Sequence, residues 1–234
     1  MRDIFHNRHT NPKAWEDAKK YAEEDSDDAL KLFDFMAPSY FYFTQSVSMP
    51  FQQIINRATG AQFNNMMVRA YFQEGKSIAK ADESSSFDGA VSFGIPGLYK
   101  NVFKLDVASL YPSIILHYKI YSKKKDPEAK FLQIMEYFTK ERLRNKKLYE
   151  QTKQKIYKYL SDSQKIVINS GFGFLGSTGL NYNSVQHASL ITKYGRDILN
   201  LGVKLATGKT AEEWIAFVDN GSDESEDEDE DDED

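Results

Sequence analysis

At 234 residues, with 41% apolar and 14% aromatic side chains, the chain holds enough hydrophobic material for one large domain or two modest ones. Cysteine is absent, which excludes a disulfide framework and a thiolate metal site; no stretch nears the roughly 18 apolar residues of a membrane span, so a soluble, cytoplasmic protein is expected. The net charge of −5 conceals a split: residues 219–234 carry 12 of the 35 acidic groups, leaving 30 basic residues against 23 acidic in the rest, a balance that suits a polyanionic partner or an ordinary mixed-charge surface.

Over residues 13–36, Trp15, Ala18, Tyr21, Ala22, Ala29, Leu32 and Phe33 recur at spacings of three and four, which predicts a helix. The next stretch begins as an irregular aromatic segment and passes after Pro50 into a helix that Gly60 can stop. Residues 74–99 are rich in Gly and Ser, and SFGIPGLY within them reads as a turn between two extended pieces. NVFKLDVASL, residues 101–110, then reads as a strand ended by Tyr111 and Pro112. From Pro127 to about residue 160 the chain is polar, basic and free of further Gly and Pro, predicting a long helix or a helical pair. A further helix covers residues 164–168, an amphipathic one covers 184–206, and EEWIAFV reads as a second buried strand. Residues 220–234 are a low-complexity polyanion that cannot build a core and is expected to be disordered.

Asp106, at the end of the predicted strand, is costly to bury unless a cation or a hydrogen-bond network receives it. Arg142 and Lys146 stand four apart, as do Lys165 and Asn169, so each pair shares a helix face; two such faces would make a cationic surface for phosphate groups, and a metal at Asp106 could complete a triphosphate site. Each piece has a plain rival: a strand-ending Asp as turn former, spaced cations as a solvated face, and NSGFGFLGSTG as a flexible loop.

In conjunction these residues resemble family B DNA polymerases. DVASLYPSII matches the first polymerase motif, D-x-x-S-L-Y-P-S-I, and KIVINSGFG matches the second, K-x-x-x-N-S-x-Y-G, with Phe172 at the tyrosine position. TKERLRNKK between them looks like the fingers helix, and FDGAV, residues 87–91, is similar to the Y-x-G-G/A element ahead of the palm. The resemblance runs from about residue 15 to 219. It implies an α+β fold: a palm with an antiparallel sheet and packed helices, here incomplete and without a thumb, bearing helical fingers. The implied organisation is an exonuclease-like remnant at 1–36, a connecting region at 37–100, palm with the first motif at 101–122, fingers with the second motif at 123–172, palm continuation at 173–219 and the acidic tail at 220–234.

The resemblance also implies the roles. Asp106 and Asp219 would be catalytic and would ligate two magnesium ions with help from the Val107 carbonyl; Ser109, Leu110, Tyr111, Arg142, Lys146, Lys165 and Asn169 would hold the incoming deoxynucleoside triphosphate. Tyr111 would be the steric gate against a 2′-hydroxyl, and Phe87, Gly89, Phe172 and Gly173 would contact primer-template DNA and the nascent base pair. The chemistry is attack of a primer 3′-hydroxyl on the α-phosphate.

The chain departs from the family at two places. The family's D-T-D motif is met only by Asp219, with Gly221 at the second aspartate, so a second polymerase chain is expected to supply the rest of that motif and a thumb. Tyr21 and Asp25 fit the third proofreading motif without the other two, so no proofreading is expected. The form of the first motif leans towards a phage or other viral source, with the host cytoplasm as location. His117 and His187 lack metal-ligand spacing and read as structural or surface residues. Rival functions are an inactive fragment that only holds nucleotide or nucleic acid, and an interaction protein acting through its acidic tail.

Overall fold

The computed structural model describes residues 2–83, 86–92, 94, 97–210, 212, 213 and 216. Among them run eight helices: α1 (Arg2–His6), α2 (Pro12–Val47), α3 (Phe51–Asn56), α4 (Thr59–Gln73), α5 (Leu110–Tyr118), α6 (Lys130–Thr152), α7 (Lys155–Gly176) and α8 (Val185–Thr207). No strand occurs among the described residues, which overturns the expected α+β palm with an antiparallel sheet. The physical reason is local. A strand satisfies its amides only through a neighbouring ladder, and the segment 101–107 has none; its expected companion, EEWIAFV, falls largely outside the described residues, and Glu212, Glu213 and Ala216 of it are helical.

The chain forms two compact units, Met1–Arg57 with Arg142–Gln164, and Ala58–Glu141 with Lys165–Asp234. In the first, α2 starts where Asn11 Oδ1 accepts from the Ala14 amide at 3.1 Å and Pro12 supplies a preset φ. It ends at Ser48, left-handed, whose amide donates to the Thr44 carbonyl at 2.9 Å. The predicted helix over 13–36 thus extends through the aromatic stretch expected to be irregular. Pro38 is tolerated inside it at the loss of one amide bond to Asp34. Of the positions predicted to face a core only Ala18 is buried; the buried set lies later, at Phe43, Val47, Met49 and Ile54. Tyr42 stacks on Tyr159, and Asn145 Nδ2 donates to Gln164 Oε1 at 3.1 Å in a buried pair.

The second unit is built on three rings: Phe63 of α4 lies 5.3 Å from Phe131 of α6 and 4.9 Å from Phe174 of α7. Met67, Ile115, Met135, Val167, Ile168, Ala188 and Ile191 complete this core. Each such residue fully removed from water contributes on the order of 2 kcal/mol. Gly60 does not stop the preceding helix, which ends at Asn56; it sits in the first turn of α4, buried near Phe174. The basic stretch after Pro127 resolves as the helical pair α6 and α7, broken at Lys153 in a left-handed conformation. The helix predicted over 184–206 matches α8 within one residue.

The one carboxylate buried among the described residues of the second unit is Asp126, not Asp106. Its Oδ1 accepts from the Tyr71 hydroxyl at 2.5 Å and the Lys130 amide at 2.8 Å, and its Oδ2 accepts from the Phe131 amide at 2.9 Å. The acid thereby receives two of the orphan donors at the start of α6. Burial, and then the bond to Asp126, push the Tyr71 phenol well above its ordinary range.

Candidate functional site

The first motif does not make the strand it predicts. Residues 101–107 carry no regular secondary structure and are exposed, with Val102, Phe103 and Leu105 at 73%, 92% and 85% of full accessibility. Asp106 lies on this segment, exposed rather than buried, and its neighbour Val107 is half-exposed. The chain then turns through Ser109, whose φ of 53° is a left-handed conformation costing a non-glycine residue on the order of 1 kcal/mol. From there it enters α5, with Leu110 first and Pro112 in the opening turn, where a missing amide is harmless.

That turn delivers Tyr111 onto the second motif. Its ring lies 4.6 Å from the ring of Phe172 on α7, and Phe172 meets Phe87 edge-on at 6.3 Å. Three stretches singled out in the sequence therefore converge on one ring cluster. Its floor is α8. A side-chain carbon built at Gly195 would stand 3.1 Å from Tyr111 Cε1, so the absence of one lets the tyrosine lie against the helix.

The segment 87–89 is held by the same helix. Thr192 Oγ1 donates to the Asp88 carbonyl at 2.7 Å, and Arg196 donates to the Gly89 carbonyl at 2.6 Å and the Asp88 carbonyl at 3.2 Å. Sequence reasoning did not single out Thr192, Gly195 or Arg196. Their spacing of three and four within ITKYGRDI places all three on one helix face and was a readable signal.

On α7 the motif sorts by face. Val167, Ile168, Ser170, Gly171, Phe174 and Leu175 are buried, whereas Lys165, Asn169 and Gly173 form an exposed stripe at intervals of four, with Phe172 at its edge. Arg142 and Lys146 occupy the part of α6 that belongs to the first unit, the first half-buried and the second exposed. Tyr21 and Asp25 are both exposed on α2. Asp219 lies outside the described residues. His117 packs on Tyr118, and His187, half-buried, shares a 2.7 Å hydrogen bond with Ser184 and has its pKa lowered by desolvation.

A pair of divalent ions needs several convergent carboxylates. Among the described residues no group of three metal-ligating side chains occurs. What they offer is the Asp106 carboxylate and the Val107 carbonyl, which do not by themselves fit two ions. No helix among them is long and apolar enough to cross a membrane.

Residues 117–229 match the family model described as DNA polymerase family B. DNA polymerase 2 of Aeropyrum pernix is 21% identical over 228 residues, covering 84% of this chain and 28% of its own length. A DNA polymerase of Archaeoglobus fulgidus is 22% identical over 213 residues, covering 80% of this chain and 27% of its own length. This chain thus spans under a third of the length of these relatives. The solved family B DNA polymerase of Pyrobaculum calidifontis superposes with a TM-score of 0.66 at 19% identity, over 83% of this chain and 30% of that one, which is a likeness of fold. These archaeal proteins give no support to a viral source. Over most of its described length the chain is similar to part of a family B DNA polymerase, and residues 117–229 are the portion the family model matches.

Proposed function

We propose that this chain is a segment of a DNA-directed DNA polymerase that holds the incoming deoxynucleoside triphosphate and the nascent base pair during transfer of the nucleotide to a primer 3′-hydroxyl. The observation that carries this reading is the meeting of Tyr111, Phe172 and Phe87 at one end of the Lys165, Asn169 and Gly173 stripe. An aromatic cluster on the same rigid helix as a cation suits a sugar and base next to a phosphate. In this reading Lys165 neutralises phosphate charge, Asn169 supports it, Tyr111 faces the sugar 2′ position and Phe172 with Gly173 faces the base pair. Ser109 and Leu110 border the triphosphate.

Metal chemistry in this reading needs Asp106 joined by carboxylates outside the described residues, Asp219 first among them. The exposed apolar run at Val102, Phe103 and Leu105 supports the same conclusion, because such side chains ask for cover. A second polymerase chain would supply both cover and carboxylates.

The test is binding of a fluorescent deoxynucleoside triphosphate to the whole chain, followed by primer extension with a second polymerase chain bearing the further carboxylates added. Lys165→Ala should weaken nucleotide binding about tenfold, the loss expected from one charge-assisted contact of about 1.4 kcal/mol. Asp106→Asn should leave nucleotide binding intact and abolish extension. Binding unaffected by Lys165→Ala would refute the nucleotide reading. Binding without extension in any combination would leave a nucleotide-holding protein that does no catalysis.

A further inference from the structure

A concavity of the second unit, about 1400 Å3, lies away from the ring cluster and uses none of the residues assigned above. Its walls are the strap 75–83 that follows α4, the loop 119–127 between α5 and α6, and the first turn of α8. The strap is tied down rather than draped. Asn181 Nδ2 donates to the Ala79 carbonyl at 3.0 Å, and the Asp82 amide donates to Asn183 Oδ1 at 2.9 Å. Lys125, nearly covered, donates to the Asn183 carbonyl at 2.7 Å and pairs with Asp82 at 2.9 Å.

The lining is dominated by lysine. Two of the six are spent on structure: Lys125 as above, and Lys76 between Glu74 and Glu128 at 3.0 and 2.8 Å. The other four, Lys80, Lys119, Lys123 and Lys124, are exposed and have no carboxylate partner among the described residues; Glu83 is the one unpaired acid beside them. Four like charges gathered in a walled concavity repel one another and focus a positive potential into it. Lys119 is held there in a left-handed conformation, φ 50°, where glycine or asparagine would be unstrained.

We infer that this lysine-lined cavity binds the phosphodiester backbone of single-stranded nucleic acid, independently of the nucleotide face. Its volume exceeds the roughly 300–1,000 Å3 of small-molecule sites, and its four free cations are spread over the strap and the loop rather than converging on one point. Lysines without arginine are point charges suited to sequence-independent backbone contact. Tyr121, half-exposed in the same wall, offers one ring on which a base can stack. The choice of nucleic acid over other polyanions rests on the polymerase reading above; the site itself does not.

The experiment is fluorescence anisotropy of a labelled oligothymidylate of about 20 nucleotides with the whole chain, without divalent metal or nucleotide, across a salt series. The variant K80S/K119S/K123S/K124S is compared with a charge-matched control, K13S/K20S/K31S/K155S. The slope of log affinity against log salt should fall by about 3 in the cavity variant, at about 0.7 per lost contact, with at least a tenfold loss near 0.1 M salt. The control should lose much less, and thermal unfolding should show both variants folded. Equal losses in the two would reduce the effect to net charge and overturn the site. A labelled peptide of residues 222–234 that saturates the cavity while the oligonucleotide does not would make it a peptide site and overturn the proposal as well. Failure of nucleotide binding or extension with this readout intact would fell the polymerase reading and leave the cavity standing.

Discussion

Asp126→Ala tests the deepest electrostatic commitment in the second unit. The substitution removes the acceptor of three donors: the Tyr71 hydroxyl, the Phe131 amide and the Lys130 amide, the first two fully buried. A buried donor left without a partner costs about 1–3 kcal/mol, so two buried and one partly buried donor put the loss at about 3–5 kcal/mol. That is a large share of the 5–15 kcal/mol typical of a domain. Tyr71→Phe takes away the phenol but leaves the carboxylate its two amides, so it should cost only about 1 kcal/mol. The double variant should cost less than the two single losses together, because the Tyr71 donor is no longer present to be orphaned. Urea unfolding read by circular dichroism supplies all three values, with an unchanged slope against denaturant as the check on two-state behaviour. A loss below about 1 kcal/mol for Asp126→Ala would refute the claim that this carboxylate anchors α4 to the start of α6.

Gly195→Ala places a methyl 3.1 Å from Tyr111 Cε1; the ring must tilt off α8, costing about 1–2 kcal/mol and weakening nucleotide binding more than Ala188→Gly, a core change on the same helix. Nucleotide affinity equal to wild type would separate Tyr111 from the site. Gly171→Ala meets Met135 Sδ at 2.7 Å and should destabilise by about 1–3 kcal/mol, while in a Met135→Ala background, itself costly, it should be nearly neutral. Additive losses in the pair would show the clash to be elsewhere. Desolvation lowers the His187 pKa, so the folded chain prefers the neutral ring: stability is full above the ordinary value of about 6.5 and falls as pH drops below it, where the unfolded chain takes up the proton first. His187→Gln should flatten this acid limb of the melting-temperature profile, and an unchanged limb would exclude His187 as its source.

How much of this was legible in the sequence follows from what each signal depends on. The spacing of Lys165 and Asn169 is a property of one helix, and it correctly put both on one exposed face. The periodicity of α8 is equally local, and its bounds came out within a residue. The first motif failed as structure because a strand is a relation between two segments, and its expected companion lies largely outside the described residues. Pro112 misled in a different way: it was read as a terminator, yet in a helix's opening turn it forfeits no bond, and α5 went unseen. Pro38 and the aromatic run around it hid the second half of α2 by the same assumption. Asp126 carries a readable signal, an Asp-Pro pair just ahead of a periodic apolar run, which is how a chain supplies an acceptor to a new helix.

The exposure of Asp106 changes what the first motif asks of physics. A lone carboxylate at the end of an apolar run looked like a buried charge in need of a cation. Were residues 102–107 to dock in extended form, however, side chains would alternate, so Val102, Lys104 and Asp106 would share one face while Phe103, Leu105 and Val107 would share the other. The second face is wholly apolar and exposed, and it is the one that seeks cover. Burying three such side chains is worth on the order of 5 kcal/mol, enough to order the segment against a partner surface. Covering that face leaves Asp106 on the opposite side beside Lys104, still open to water and to ligands. Docked in that way the motif would need no charge burial: its apolar residues would supply the docking energy, and the alternation of the backbone would keep the carboxylate accessible.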